Sequence, residues 1–373
     1  MLAGFFLFSV SFLYSAVINE DYFNLVFSQY GKYVTPICVF FILNQIVSKR
    51  PEELTIFRKL LFDLLTIQII LSFIKIFTIG LIESTVGSLA NIGGGPAALL
   101  PVLGFIILWQ YKRGRFKWKD WLYVFFLVFI GFASVKRAVW FIVPAIIFLF
   151  DYYVGGRINI RRLLYAAMVV PLIFYLGVRL NPTLNKEGKI GGSFDVKYVL
   201  SYAQRYSFGK TSETDEFKVG EGRGGAALLL WGKLKNWQDL SFSDFWGVGL
   251  RNVYTTSYEQ FEEAGYGLNS KGAATGVYQT YLSSGFIGMF ITILFIALII
   301  GLIDNFRVRI VIGFLLFWDY FFYSGIVFKT PSLSILLFFI IIYSNIQNSE
   351  KKMERFLNRK NYVQERDLST QTA

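Results

Sequence analysis

Apolar runs, each close to the length of a membrane span, recur along the chain and are divided by short polar connections. A helix needs about 20 predominantly apolar residues to cross a bilayer core. The pattern predicts about ten spans, near 3–18, 30–48, 60–82, 96–111, 121–134, 138–154, 163–179, 275–302, 309–328 and 332–347. The first run, MLAGFFLFSVSFLYSAVI, lacks the basic leader of a signal peptide and is followed by more such runs. It therefore reads as the first span. The expected fold class is an all-α polytopic membrane protein.

Charge orders these spans. The connections SKRPEELTIFRK (48–59), YKRGRFKWKD (111–120), GGRINIRR (155–162) and DNFRVR (304–309) are basic, as is the tail SEKKMERFLNRKNYVQER (349–366). With ten spans all of them fall on one side, which the positive-inside rule makes cytoplasmic, with both termini inside. The opposite side receives GSLANIGGG (87–95), the Lys136–Arg137 pair, residues 180–274 and FKTPS (328–332). The expected organisation is one integral membrane domain: spans in 1–179, a large outer segment at 180–274, spans again in 275–347, and a cytoplasmic tail at 348–373.

Composition agrees with a membrane protein. Hydrophobic residues make up 54% and charged residues 17%, against about 25% charged in soluble domains. Mean hydropathy is +0.49. The net charge of +12 is then mostly orientation signal, with a remainder for anionic ligands and lipids, and nucleic acid is not expected as a partner. One cysteine, Cys38, allows neither an internal disulfide nor a thiolate metal site. The chain has no histidine, so the commonest general base and metal ligand are both missing. No acidic cluster has the spacing of a divalent-metal site, so neither metal nor cofactor is expected.

The outer side carries the candidate chemistry. Arg137, Arg179, Arg223 and Arg251 fall there, joined by Arg205, Lys136, Lys197 and Lys271. Arginine grips phosphate bidentately and keeps its charge. Such a set at an outer lipid surface suits a polyprenyl diphosphate headgroup. Two readings stay open for Lys136 and Arg137: interfacial anchoring by snorkelling, or an anion site. The loop arginines are alternatively solvated or paired with Glu187, Asp195 and Glu221. AALLLWGKLKNWQDL (226–240) has the spacing of an amphipathic helix lying on the membrane. Trp231, Trp237, Trp246, Tyr254 and Tyr258 either stack on sugar rings or serve as interfacial aromatics.

FSDFWGVGLRN (242–252), followed by GVYQTYLSSGFIGMF (276–290), resembles the O-antigen ligase and O-antigen polymerase (Wzy-type) superfamily. Gly247 and Gly249 match that family's glycine motif late in the large outer loop. Gly285 and Gly288 match the end of its helix-opening pattern. SVKRAVW matches a helix-end arginine at Arg137, EGRGGAALLLW matches a loop arginine at Arg223, and GSLANIGGGPAALLP (87–101) resembles the first outer turn. The resemblance covers about residues 85–300 and implies a multi-pass glycosyltransferase of the bacterial cytoplasmic membrane.

One departure matters. The family histidine would fall near Ala274 or Thr275, and no histidine exists here. In ligases that residue is thought to activate the acceptor, so its absence argues against a ligase. The implied activity is a metal-independent polymerase that joins polyprenyl-diphosphate-linked oligosaccharide repeat units at the outer face. Arg137 and Arg223 would stabilise the diphosphate leaving group. Lys136, Arg179, Arg205, Arg251, Lys271, Gly247 and Gly249 would form the binding surface. A carboxylate would replace the histidine as base. The first candidates are Glu259, Glu262 and Glu263 of YEQFEEAGYG (258–267), and after them Asp195, Asp215 and Glu221. A flippase and a chain-length regulator are the implied protein partners. The rival activities are an O-antigen ligase and, in another class, a lipid-linked oligosaccharide transporter. A transporter should carry charges within its spans, whereas here they gather at one face.

Overall fold

The computed structural model describes residues 2–50, 52–80, 85–88, 94–134, 137–156, 160–208, 223–254, 274–323 and 325–349. Among these residues the chain is all-helical, with no strand. The first part contains α1 (Leu2–Ile18), α2 (Phe23–Lys49), α3 (Glu53–Ile79), α4 (Gly94–Tyr111), α5 (Trp118–Ala133), α6 (Arg137–Leu149) and α7 (Ile160–Leu180). Shorter helices follow: α8 (Val196–Phe208), α9 (Arg223–Lys235), α10 (Phe242–Trp246) and α11 (Leu250–Tyr254). The last part contains α12 (Gly276–Gly301), α13 (Phe306–Phe322), α14 (Ile326–Lys329) and a final helix, α15 (Pro331–Ser349). Among the described residues 4 helices, α2, α3, α12 and α15, are long and apolar enough to cross a membrane.

The long helices coincide with the expected apolar runs, but several ends differ. α2 starts at Phe23 rather than at 30, and α3 starts at Glu53 rather than at 60. Hydropathy registers only the apolar part of a helix, whereas backbone hydrogen bonding carries the helix on into polar sequence. α3 ends at Gly80, whose φ of +83° stops the helix while its N–H still donates to the Ile76 carbonyl, 3.1 Å. The run expected at 138–154 is α-helical to Leu149 and then widens into a π turn over Phe150–Val154. The run expected to reach 328 stops at Phe322. Gly325, at φ +64°, turns the chain into the separate helix α14. The amphipathic segment expected at 226–240 begins earlier, at Arg223, and leaves the α conformation after Lys235 for a 3₁₀ turn at Trp237–Asp239.

α12 is central. α1, α10 and α13 pack closely on it, while α4 lies between α5 and α6. Lipid tails are as apolar as leucine, so helix association in a bilayer depends on close packing rather than on apolar burial. The interfaces show how this is met. A Cβ on Gly131 of α5 would lie 2.9 Å from the Ala97 carbonyl oxygen of α4. Phe8 of α1 stacks on Phe295 of α12 at 5.3 Å between ring centroids. Large apolar side chains such as Phe6, Phe27 and Phe77 stand exposed on α1, α2 and α3, the surface a lipid environment covers. A second, small core of Val178, Leu184 and Val199 ties the end of α7 to α8.

Candidate functional site

The two glycine motifs meet. α12 is broken at Gly285, whose φ of +66° and ψ of −170° are not helical. A Cβ there would lie 2.0 Å from the Phe245 carbonyl oxygen of α10. Facing it, Gly247 ends α10 at φ +82°, and a Cβ on it would lie 2.5 Å from the Ser284 amide nitrogen. Only glycine permits both the left-handed φ and this backbone-to-backbone approach. The break leaves the Leu282 carbonyl free of the helix ladder, and the Val248 N–H donates to it, 2.6 Å. Ser15 of α1 completes the junction. Its hydroxyl lies 2.8 Å from the Trp246 carbonyl and 2.9 Å from the Ser283 carbonyl. Gly249, at φ +90°, lets the chain pass over Asn19 and Asp21. The Asp21 carboxylate accepts the N–H groups of Leu250, 2.8 Å, and Arg251, 2.7 Å. Burial raises the Asp21 pKa above its ordinary value, against the lowering effect of those two bonds and of the Arg251 charge.

Beside the junction is a carboxylate that the sequence reasoning missed. Asp244 of α10 is 5% exposed. It accepts hydrogen bonds from the Lys233 ammonium of α9 and the Tyr281 hydroxyl of α12. It also accepts from the Ser241 N–H at 2.8 Å and the Ser241 hydroxyl at 2.7 Å. Burial pushes its carboxyl up, but the bonds from Lys233, Tyr281 and Ser241 outweigh burial and hold it well below the usual range. A carboxylate that acidic is a poor base. It fixes Lys233 and Tyr281 in place. The signal for it begins one residue before the FSDFWGVGLRN motif: Ser241 and Asp244 form an S-x-x-D capping box at the start of α10.

Since the folded-state pKa of Asp244 is depressed, its contribution to stability is complete above the unfolded value, about 4. It is lost as pH falls from there through the folded value. Asp244→Asn is expected to destabilise the protein by about 1.5–3 kcal/mol at pH 7, toward the lower end because water reaches Lys233. Thermal unfolding in detergent should show wild type and variant well apart at pH 7, with the gap narrowing progressively as pH falls below about 4.

An open cavity of about 560 Å³ runs between α9 and α10, lined by Leu228, Lys233, Asn236, Asp239 and Asp244 among others. Its size is in the range of small-molecule sites. Trp231 on α9 and Trp237 in the 3₁₀ turn that follows it stand at 68% and 66% exposure. Trp246 is instead committed to packing, edge-on to Tyr14 at 4.5 Å. Tyr254 sits beside α12, and burial pushes its hydroxyl up to about 12.

The expected cations are placed differently from one another. Arg223 opens α9 and reaches the end of α13. Its Nη1 donates to the Phe322 carbonyl, 3.1 Å, and its guanidinium lies over the Tyr323 ring at 4.1 Å. Arg251 is exposed, with its guanidinium over the Tyr22 ring at 4.6 Å. Arg179 is turned into its own loop, donating to the Gly192 carbonyl, the Tyr175 hydroxyl and the Gly191 carbonyl at 2.9, 3.0 and 3.1 Å. Those bonds make it a loop clamp rather than part of an open binding surface. Lys136, Lys271, Asp215, Glu221, Tyr258, Glu259, Glu262 and Glu263 lie outside the described residues, as do the side chains of Arg137 and Arg205.

Fold and site together define a helical membrane protein with a charged, glycine-knit cluster at one end of its helices. No family model, curated protein or solved structure matches the chain.

Proposed function

We propose that this protein is a multi-pass membrane glycosyltransferase that polymerises a surface polysaccharide. It transfers a lipid-linked glycan onto the next polyprenyl-diphosphate-linked repeat unit at the outer face of the cytoplasmic membrane. One observation carries this: the glycine motifs that prompted the resemblance are in contact, with Gly247 against the Gly285 break in α12. That contact brings the Lys233–Asp244 pair and the 560 Å³ cavity to the end of α12. Arg223 joins the same end of the helices through Phe322 and Tyr323.

The chemistry of such a site follows from its inventory. The donor loses a diphosphate, and the charge developing on it is the main quantity to stabilise. Arg223, with Arg137 as the second arginine, supplies fixed positive charge and a bidentate fork. Trp231 and Trp237 offer exposed ring faces to sugars. In the proposed ten-span arrangement this end faces outward. Alkaline phosphatase fused at Asn236 is expected to be active, and fused at Lys352 inactive. The reverse pattern would put the cluster in the cytoplasm and end the proposal.

A further inference from the structure

Where the resemblance puts a histidine, Ala274 and Thr275 form the N-terminal cap of α12 and are 5% and 4% exposed. The Thr275 hydroxyl accepts the Tyr278 N–H, 3.4 Å. One turn on, the Gln279 amide donates to the Ala274 carbonyl, 3.0 Å. The amide oxygen of the same Gln279 accepts a hydrogen bond from the Lys329 ammonium. Lys329 ends α14, in the outer connection between α13 and α15. Its amine also lies 5.9 Å from the Tyr254 ring centroid.

The surroundings are polar and enclosed. Next to Gln279 on α12, Thr280 faces a cavity of about 20 Å³ whose wall also includes Ser11, Tyr254, Ser283, Ser284 and Thr292. That volume accommodates one water-sized group. The Ser11 hydroxyl, in a residue 6% exposed, has no hydrogen-bond partner among the described residues. An unsatisfied buried hydroxyl in a polar cavity marks a place for a polar occupant.

Each element around Lys329 contributes an identifiable group. α13 brings Asp319, 1% exposed, whose carboxylate accepts the Val327 N–H at 2.9 Å, and also Tyr320. α11 brings Tyr254. α2 brings Tyr33 and Lys32, whose ammonium donates to Gln29 at 3.1 Å. α4, which also packs on α14, holds no ionisable group before Tyr111. Of these charges, Asp319 is the one that acts on the Lys329 amine. Burial lowers the Lys329 amine to about 8, opposed only in part by Asp319.

We propose that Lys329 is the general base of the transfer reaction, in the place of the histidine this chain lacks; this rests on the glycosyltransferase function proposed above. The acceptor sugar hydroxyl attacks the anomeric carbon of the donor. Its proton passes to the Lys329 amine as the new glycosidic C–O bond forms. The anomeric carbon–phosphate oxygen bond breaks, and its electron pair leaves with the polyprenyl diphosphate. The resulting ammonium returns its proton to water. Lysine suits the task because burial leaves part of it neutral near pH 8, whereas arginine stays protonated.

The test uses the full-length protein in liposomes containing polyprenyl-diphosphate-linked repeat units, with polymerisation rates measured from pH 6 to 9.5. For the wild type, the rate is expected to rise about tenfold per pH unit below 8 and then level off. Lys329→Arg and Lys329→Met, compared at equal protein levels, should lose about 10²–10⁴-fold in rate, and their residual rate should no longer rise with pH. A lysine kept only to pair with Asp319 or to pack would leave Lys329→Arg with a near-normal rate and the wild-type pH profile, and that result overturns the inference. A wild-type rate that is flat over the whole range also overturns it and needs no variant to fold. No polymer from the wild type at any pH removes the glycosyltransferase proposal itself and this inference with it. Wild-type polymer with an unaltered Lys329→Arg profile removes the inference alone.

Discussion

Gly285→Ala is expected to abolish polymer formation and to loosen α10 from α12. The added Cβ would sit 2.0 Å from the Phe245 carbonyl oxygen and 2.4 Å from the Trp246 nitrogen. Both are backbone atoms, so no side chain can rotate out of the way. The φ of +66° adds a conformational cost of about 1–3 kcal/mol for a non-glycine residue. α10 would have to lift from α12, breaking the Val248–Leu282 hydrogen bond and withdrawing Asp244 from Tyr281. Gly301→Ala in the same helix is the control. Gly301 is the last residue of α12; a Cβ there meets nothing within 4 Å and its φ is not left-handed, so alanine is accommodated without strain. Thermal unfolding and the polymer ladder should therefore separate the two variants clearly. A wild-type ladder in Gly285→Ala would mean that the junction between the two motifs has no part in activity.

Arg223→Lys should lower the polymerisation rate by about 10²–10³-fold without lowering the amount of protein in the membrane. The substitution keeps the positive charge but loses the planar fork that meets phosphate with two parallel hydrogen bonds. It also loses the flat contact of the guanidinium on Tyr323, now at 4.1 Å. Arg223→Ala should be at least as severe. If Arg223 served only to bind α9 to the end of α13, lysine, which still reaches the Phe322 carbonyl, would keep most of the activity. Chain-length analysis of the product distinguishes these cases, since a slowed polymerase makes short chains and leaves lipid-linked single units unused.

The helices were legible because lipid imposes one rule, long apolar runs, which can be counted along the sequence. Their ends were less legible. α2 and α3 extend into polar sequence that hydropathy assigns to connections, and α13 stops early at a turn that only the left-handed Gly325 reveals. Within the site, Gly247, Gly249 and Gly285 stood out because their spacing forms a pattern. Their mutual contact did not, since it depends on a break in a helix that otherwise reads as continuous. Asp244 does not stand out in FSDFWGVGLRN, because a capping aspartate looks like local helix chemistry until Lys233 and Tyr281 converge on it. Arg179 looked like a binding residue because sequence shows charge but not the loop carbonyls that occupy it. Lys329 was lost in FKTPS, an apparently trivial connection. Its burial among Gln279, Tyr254 and Asp319 is a property of four helices meeting, and no local pattern reports that.

The most direct test of the central claim is a reconstitution. Purified protein in liposomes is supplied with one synthetic polyprenyl-diphosphate-linked repeat unit and no other enzyme. Products are resolved by chain length while released polyprenyl diphosphate is quantified. A glycosyltransferase of the proposed kind gives a ladder of lengthening lipid-linked chains, with one polyprenyl diphosphate released for each unit joined. Movement of intact lipid-linked units across the bilayer, with no ladder and no released diphosphate, would contradict it.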